Sequence, residues 1–165
     1  MSTEINPTTG VRLDVFGPTV EFLTSPQEAY NDLCVIRGVI PPGVFVPLHS
    51  HADTEGFFII SGQAQALRQS KEGYEWIEGK AGDYIHVPGD ARHAWRNVSS
   101  EPVVALLITT ARLGRFFQEV GRPVTGAPQP VTPQELEHFA AIAAKYGYWN
   151  ATPEENAAVG IHFSF

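Results

Sequence analysis

Apolar and polar residues alternate along the middle of this chain in short runs rich in β-branched and aromatic side chains. The runs are Leu33–Ile40, Val44–Leu48, Gly56–Ile60, Ala64–Gln69, Tyr74–Ile77, Tyr84–Val87, Ala94–Val98 and Val103–Thr110. Turn formers separate them, among them Pro41-Pro42-Gly43, Ser61-Gly62 and Pro88-Gly89-Asp90. Strands of four to eight residues spaced by such turns predict an antiparallel sandwich or small barrel, because side chains two apart share a face and can turn one row inward. No segment of helical period and length interrupts this region, so the predicted fold class is all-β.

The period changes after residue 110. Thr132-Pro133-Gln134-Glu135 places an N-cap, a proline at the first helical position and a capping-box glutamate in order, and Leu136, Phe139, Ala140 and Ala143 then share a face. Gly147 is positioned to end that helix. A shorter helix is predicted over Leu113–Val120, and Gly121–Pro130 reads as a proline-rich connector. The expected organisation is one domain over residues 1–165, with a β core over about 33–110 and a helical C-terminal extension over 111–165.

Composition narrows the classes of function. With 43% apolar and 18% charged residues the chain reads as a globular protein, and no apolar run is long enough to cross a bilayer. A formal charge of −7 repels nucleic-acid phosphates and anionic lipid, so neither is an expected partner, and a small-molecule substrate is. The first residues have no basic stretch followed by an apolar one, which predicts a cytoplasmic location. The single Cys34 lies in an apolar run and predicts a buried, inert thiol.

The chemistry-bearing residues are His49, His51, Glu55 and His93. His49 and His51 are two apart, so one strand can aim both at the same ion. The turn at Ala52-Asp53-Thr54 brings Glu55 back to face them, and His93, 42 positions past His51, must arrive from another strand. Three imidazoles and a carboxylate suit a divalent transition metal ion, and Fe, Mn, Ni, Co, Cu and Zn all accept this donor set. Ser50 and Asp53 are candidates to support the ligand imidazoles, although a turn role suffices for Asp53.

Counting by twos from the ligands predicts the pocket around the metal: Phe45 from His49, Phe57 and Ile59 from Glu55, and Trp95 and Asn97 from His93. Such walls suit a flat, conjugated substrate. The remaining histidines, His86, His138 and His162, belong to no such constellation.

The spacing around the ligands resembles the two signature motifs of the cupin superfamily. The first is Gly43, His49, His51, Glu55 and Gly62; the second is Gly82, Pro88, His93 and Asn97, with Asp90 standing where the family has a glycine and Gly89 just before it. The resemblance covers about residues 33–110 and implies a double-stranded β-helix, the jelly-roll barrel. Pro47 to Glu55, Arg115 to Pro123 and the Pro-x-Glu-Leu helix start are further similar to small quercetin 2,3-dioxygenase-like cupins. That likeness implies a dioxygenase in which the four ligands hold the metal, Glu55 deprotonates an enolic hydroxyl and dioxygen is the co-substrate. It also implies a homodimer. A metal-dependent isomerase or decarboxylase that consumes no oxygen, and a non-catalytic binding module, are the other expectations on the same scaffold.

Overall fold

The structure, a computed structural model, describes residues 10–27, 32–127 and 129–163. The eight expected strands are all present, as β3 (Leu33–Ile40), β4 (Phe45–Ser50), β5 (Glu55–Ser61), β6 (Gln63–Ser70), β7 (Gly73–Lys80), β8 (Tyr84–Val87), β9 (His93–Arg96) and β10 (Val103–Thr110). Two short strands precede them, β1 (Arg12–Asp14) and β2 (Thr19–Phe22), and two more follow, β11 (Arg122–Pro123) and β12 (Trp149–Asn150). Runs this short carry no periodic signal; they are strands because an edge of the sheet pairs with them.

The strands form two antiparallel sheets, in the orders β11-β1-β2-β3-β10-β5-β8 and β12-β4-β9-β6-β7. Their inner faces meet over Ile59, Val87 and Val103 from one sheet and Ala64, Ala66 and Trp95 from the other. This is a double-stranded β-helix, as expected. Alternation is clear in β9, where His93 and Trp95 face inward while Ala94 joins an outer cluster with Leu48, Leu67 and Ile161. Ile161, with Trp149, Ala151, Val159 and Phe163, belongs to the last part of the C-terminal extension, which therefore lies against the outside of the smaller sheet.

Helix α1 (Ala111–Val120) begins two residues before the expected Leu113, because Thr110 at the end of β10 accepts the Leu113 N–H and caps it. Helix α2 (Pro133–Tyr146) has the capping box of Thr132 and Glu135 and ends on Gly147 at φ 71°, a left-handed conformation that favours glycine. Its buried face runs through Phe139, Ile142, Ala143 and Tyr146 onto α1, leaving Leu136 42% exposed. A third helix, α3 (Pro153–Ala158), also carries a capping box, from Thr152 to Glu155. Among the described residues no helix is long and apolar enough to cross a membrane.

Candidate metal centre

The strands bring His49, His51 and His93 together, with Glu55 against His51 and His93. His49 and His51 come from β4 and the turn after it, Glu55 opens β5, and His93 opens β9 directly opposite His49. The ligating atoms of His49, His51 and His93 lie within 4.8 Å of one another, so the triad is positioned to bind a metal ion. Glu55 Oε2 approaches to 3.0 Å from His93 Nε2 and 3.4 Å from His51 Nε2.

The backbone orients the imidazoles. His49 Nδ1 donates to the Pro47 carbonyl at 2.7 Å, His51 Nδ1 to the Asp53 carbonyl at 3.0 Å, and His93 Nδ1 to the Ala91 carbonyl at 2.8 Å. A carbonyl only accepts, so each neutral ring carries its proton on Nδ1 and presents the Nε2 lone pair to the centre. Glu55 Oε2 is consequently buried with no well-directed hydrogen-bond donor, despite two nitrogens nearby. A buried anionic oxygen ringed by nitrogen lone pairs calls for a cation. The donor set fits a divalent metal ion on this observation.

Protonation follows the same geometry. Burial, reinforced by the His93 and His51 rings, pushes His49 down to about 3, so it is a neutral donor at pH 7. Burial would raise Glu55, but a protonated His51 or His93 ring donates to it and outweighs burial, holding the carboxyl below the usual range. For His51 burial opposes protonation, yet the Glu55 carboxylate, with Asp53, moves it up.

The predicted pocket residues divide. Phe57 and Trp95 are inward, next after Glu55 and His93 on their strands, with ring centroids 4.4 Å apart. The Trp95 indole Nε1 is buried and has no acceptor among the described residues. Ile59 also faces in, but one layer deeper, packed in the closed core. Phe45 is turned the other way. A β-bulge between Val46 and His49 adds one residue to β4, so Val46 lies opposite Trp95 and joins the inner cluster, while Phe45 meets Phe163 at 5.6 Å in the outer one. Asn97 is buried, and its amide is committed to the backbone. It donates to the Ile40 and Glu101 carbonyls and accepts from Ser99, closing the turn after β9.

Tyr148, also at the centre, carried no sequence signal. It lies with its ring 5.2 Å from that of His51 and donates at 2.6 Å to Asp53. Asp53, 5% exposed, also accepts from Thr110 at 2.5 Å and Arg112 at 3.0 Å, so its side chain ties the extension to the turn that carries His51. Burial and the Asp53 carboxylate raise the Tyr148 phenol well above its ordinary value. Asp90 takes φ 65° and its N–H donates to the His51 carbonyl, and a Cβ on Gly89 would sit 2.4 Å from the Ala52 oxygen. The close approach therefore falls on Gly89 and the left-handed residue is Asp90, with the ligand turn intact.

Residues 37–109 match the family described as Cupin domain. The chain carries a cupin domain. Over 115 residues, or 69% of its length, it is 25% identical to quercetin 2,3-dioxygenase of Bacillus subtilis, of which it spans only 33%. Among solved structures, a Bacillus subtilis oxalate decarboxylase aligns with TM-score 0.53 and 23% identity, over 61% of this chain and 28% of that one. A Klebsiella pneumoniae protein with a double-stranded β-helix domain aligns with TM-score 0.50 and 22% identity, over 61% of this chain and 83% of its own. Both structures speak for the cupin fold alone.

Proposed function

We propose that this cupin protein is a metal-dependent dioxygenase acting on a small, flat enolic or aromatic substrate. The observation that carries the reading is a pair of buried polar atoms without partners among the described residues, Glu55 Oε2 and Trp95 Nε1, on inward faces that also carry Phe57. A divalent ion held by His49, His51, His93 and Glu55 supplies, when bound, Lewis acidity and open positions for oxygen ligands. Glu55, at the centre, accepts the proton of the substrate's enolic hydroxyl, whose acidity a bound ion would raise. Phe57 and Trp95 offer the apolar wall that a conjugated ring stacks on, and the Trp95 N–H donates to a substrate oxygen. The likeness to quercetin 2,3-dioxygenase supports oxygen as the co-substrate.

Oxygen uptake by metal-reconstituted protein with flavonols and β-diketones tests this. The expected result is uptake stoichiometric with substrate loss in at least one metal form. Turnover that persists under anaerobic conditions reassigns the site to an isomerase or decarboxylase, and no turnover with any metal refutes the enzymatic reading.

A further inference from the structure

The bulge that sets the ligand strand is held from outside the barrel. Between Val46, opposite Trp95, and His49, opposite His93, β4 has two residues where β9 has only Ala94. Pro47 has no N–H, and its carbonyl takes the His49 ring. Leu48, 1% exposed, is left with both backbone groups unpaired to β9. The C-terminal extension satisfies both: the Leu48 N–H donates to Asn156 Oδ1 at 2.9 Å, and the Ala151 N–H donates to the Leu48 carbonyl at 2.9 Å. Asn156 is itself 1% exposed, and its amide nitrogen donates to the Ala151 and Thr152 carbonyls, so its orientation is fixed. The same segment pairs β12 with β4, Asn150 opposite His49 and Trp149 opposite Ser50, and lays Tyr148 on the His51 ring.

We propose that residues 148–156 are a clamp that positions His49 and His51 for metal, with Asn156 as its central positioning residue. The inference rests on the reading of these histidines as metal ligands. Its physical basis is the two-residue period of a strand: with Val46 kept opposite Trp95, loss of the extra residue puts Leu48 opposite His93 and turns His49 outward. Removing the Asn156 acceptor leaves the Leu48 N–H buried and unsatisfied, which drives the bulge to rearrange.

Co(II) is the probe, followed by calorimetric titration and by its visible absorption. Asn156→Ala is expected to weaken Co(II) binding by about 10–100-fold and to change the spectrum, the scale found when groups supporting a metal ligand are removed. Asn156→Asp keeps an acceptor for the Leu48 N–H but loses the donors to the Ala151 and Thr152 carbonyls, so a smaller loss of affinity than in Asn156→Ala is expected. Leu113→Ala, which hollows the α1–α2 core away from the bulge, is expected to lower stability without altering affinity or spectrum. Equal losses in all three variants, or none in Asn156→Ala, overturn the clamp.

Amide hydrogen exchange in the metal-free wild type makes the test independent of metal and of whether a variant folds. The Leu48 amide is expected to exchange together with that of Ile161, which donates to the Asn156 carbonyl. A Leu48 amide that exchanges freely while Ile161 stays protected overturns the clamp. Matched protection in a wild type that binds no Co(II) keeps the clamp and removes the metal reading instead.

Discussion

Glu55→Gln is expected to move the stability of the metal-free and metal-loaded protein in different directions. In the neutral tautomers that the backbone carbonyls select, the imidazoles present Nε2 lone pairs to Glu55 Oε2, 3.0 Å from His93 and 3.4 Å from His51, and the carboxylate lies there buried without a directed donor among the described residues. A glutamine of the same shape can turn its NH2 into that position and donate to one imidazole. The gain is one net hydrogen bond, roughly 0.5–1.5 kcal/mol, together with relief of a buried charge, so the metal-free variant is expected to be at least as stable as wild type. The metal-loaded protein loses a charged ligand. For wild type at a metal concentration 100 times its Kd, binding adds about 2.7 kcal/mol. If the variant binds about 100-fold more weakly, the same metal adds only about 0.4 kcal/mol. At about 2–4 °C per kcal/mol for a chain of this size, the metal-induced rise in Tm falls from roughly 5–11 °C to about 1–2 °C. Thermal unfolding at pH 8 with and without metal, after chelation, measures both quantities. A metal-free Glu55→Gln protein destabilised by more than about 3 kcal/mol, as expected on breaking a required buried ion pair, would refute the argument, as would an undiminished metal shift.

His93→Ala removes the ligand that joins β9 to the centre, and elemental analysis after purification is expected to show metal well below one equivalent; full occupancy would remove His93 from the ligand set. In the metal-free protein His49 stays neutral down to about 3, while the unfolded chain protonates it near 6.5. The unfolded state therefore binds the extra proton, and stability is lost as pH falls through this window, at a slope approaching about 1.4 kcal/mol per pH unit between 6.5 and 4.5. Denaturant titrations across that range should show the slope, and His49→Gln should flatten it. Gly89→Ala drives a Cβ to 2.4 Å from the Ala52 carbonyl oxygen and is expected to cost roughly 1–3 kcal/mol in urea unfolding; a neutral result would mean that the turn carrying His51 is softer than its packing suggests.

Much of the molecule is legible in the chain because its signals are local. Period-two runs and turn formers locate β3 to β10, Thr132 and Glu135 locate the start of α2, and the spacing of His49, His51 and Glu55 around one turn makes them neighbours. Glu55, Phe57 and Ile59, and likewise His93 and Trp95, share faces as counting by twos requires.

Contacts across the fold decided the rest. Strand parity assumes an unbroken ladder, and the bulge at Pro47 and Leu48 breaks it, turning Phe45 outward and Val46 inward; nothing within β4 announces this, since the groups that hold the bulge come from Ala151 and Asn156. Asn97 matches the expected motif, but its amide is committed to the turn it closes. Tyr148, remote from the ligands in sequence, lies beside His51 because β12 pairs with the ligand strand. The donors and their spacing are written in the chain itself, whereas their aim is set by a segment about a hundred residues away, because a strand's register is fixed by whatever pairs with it.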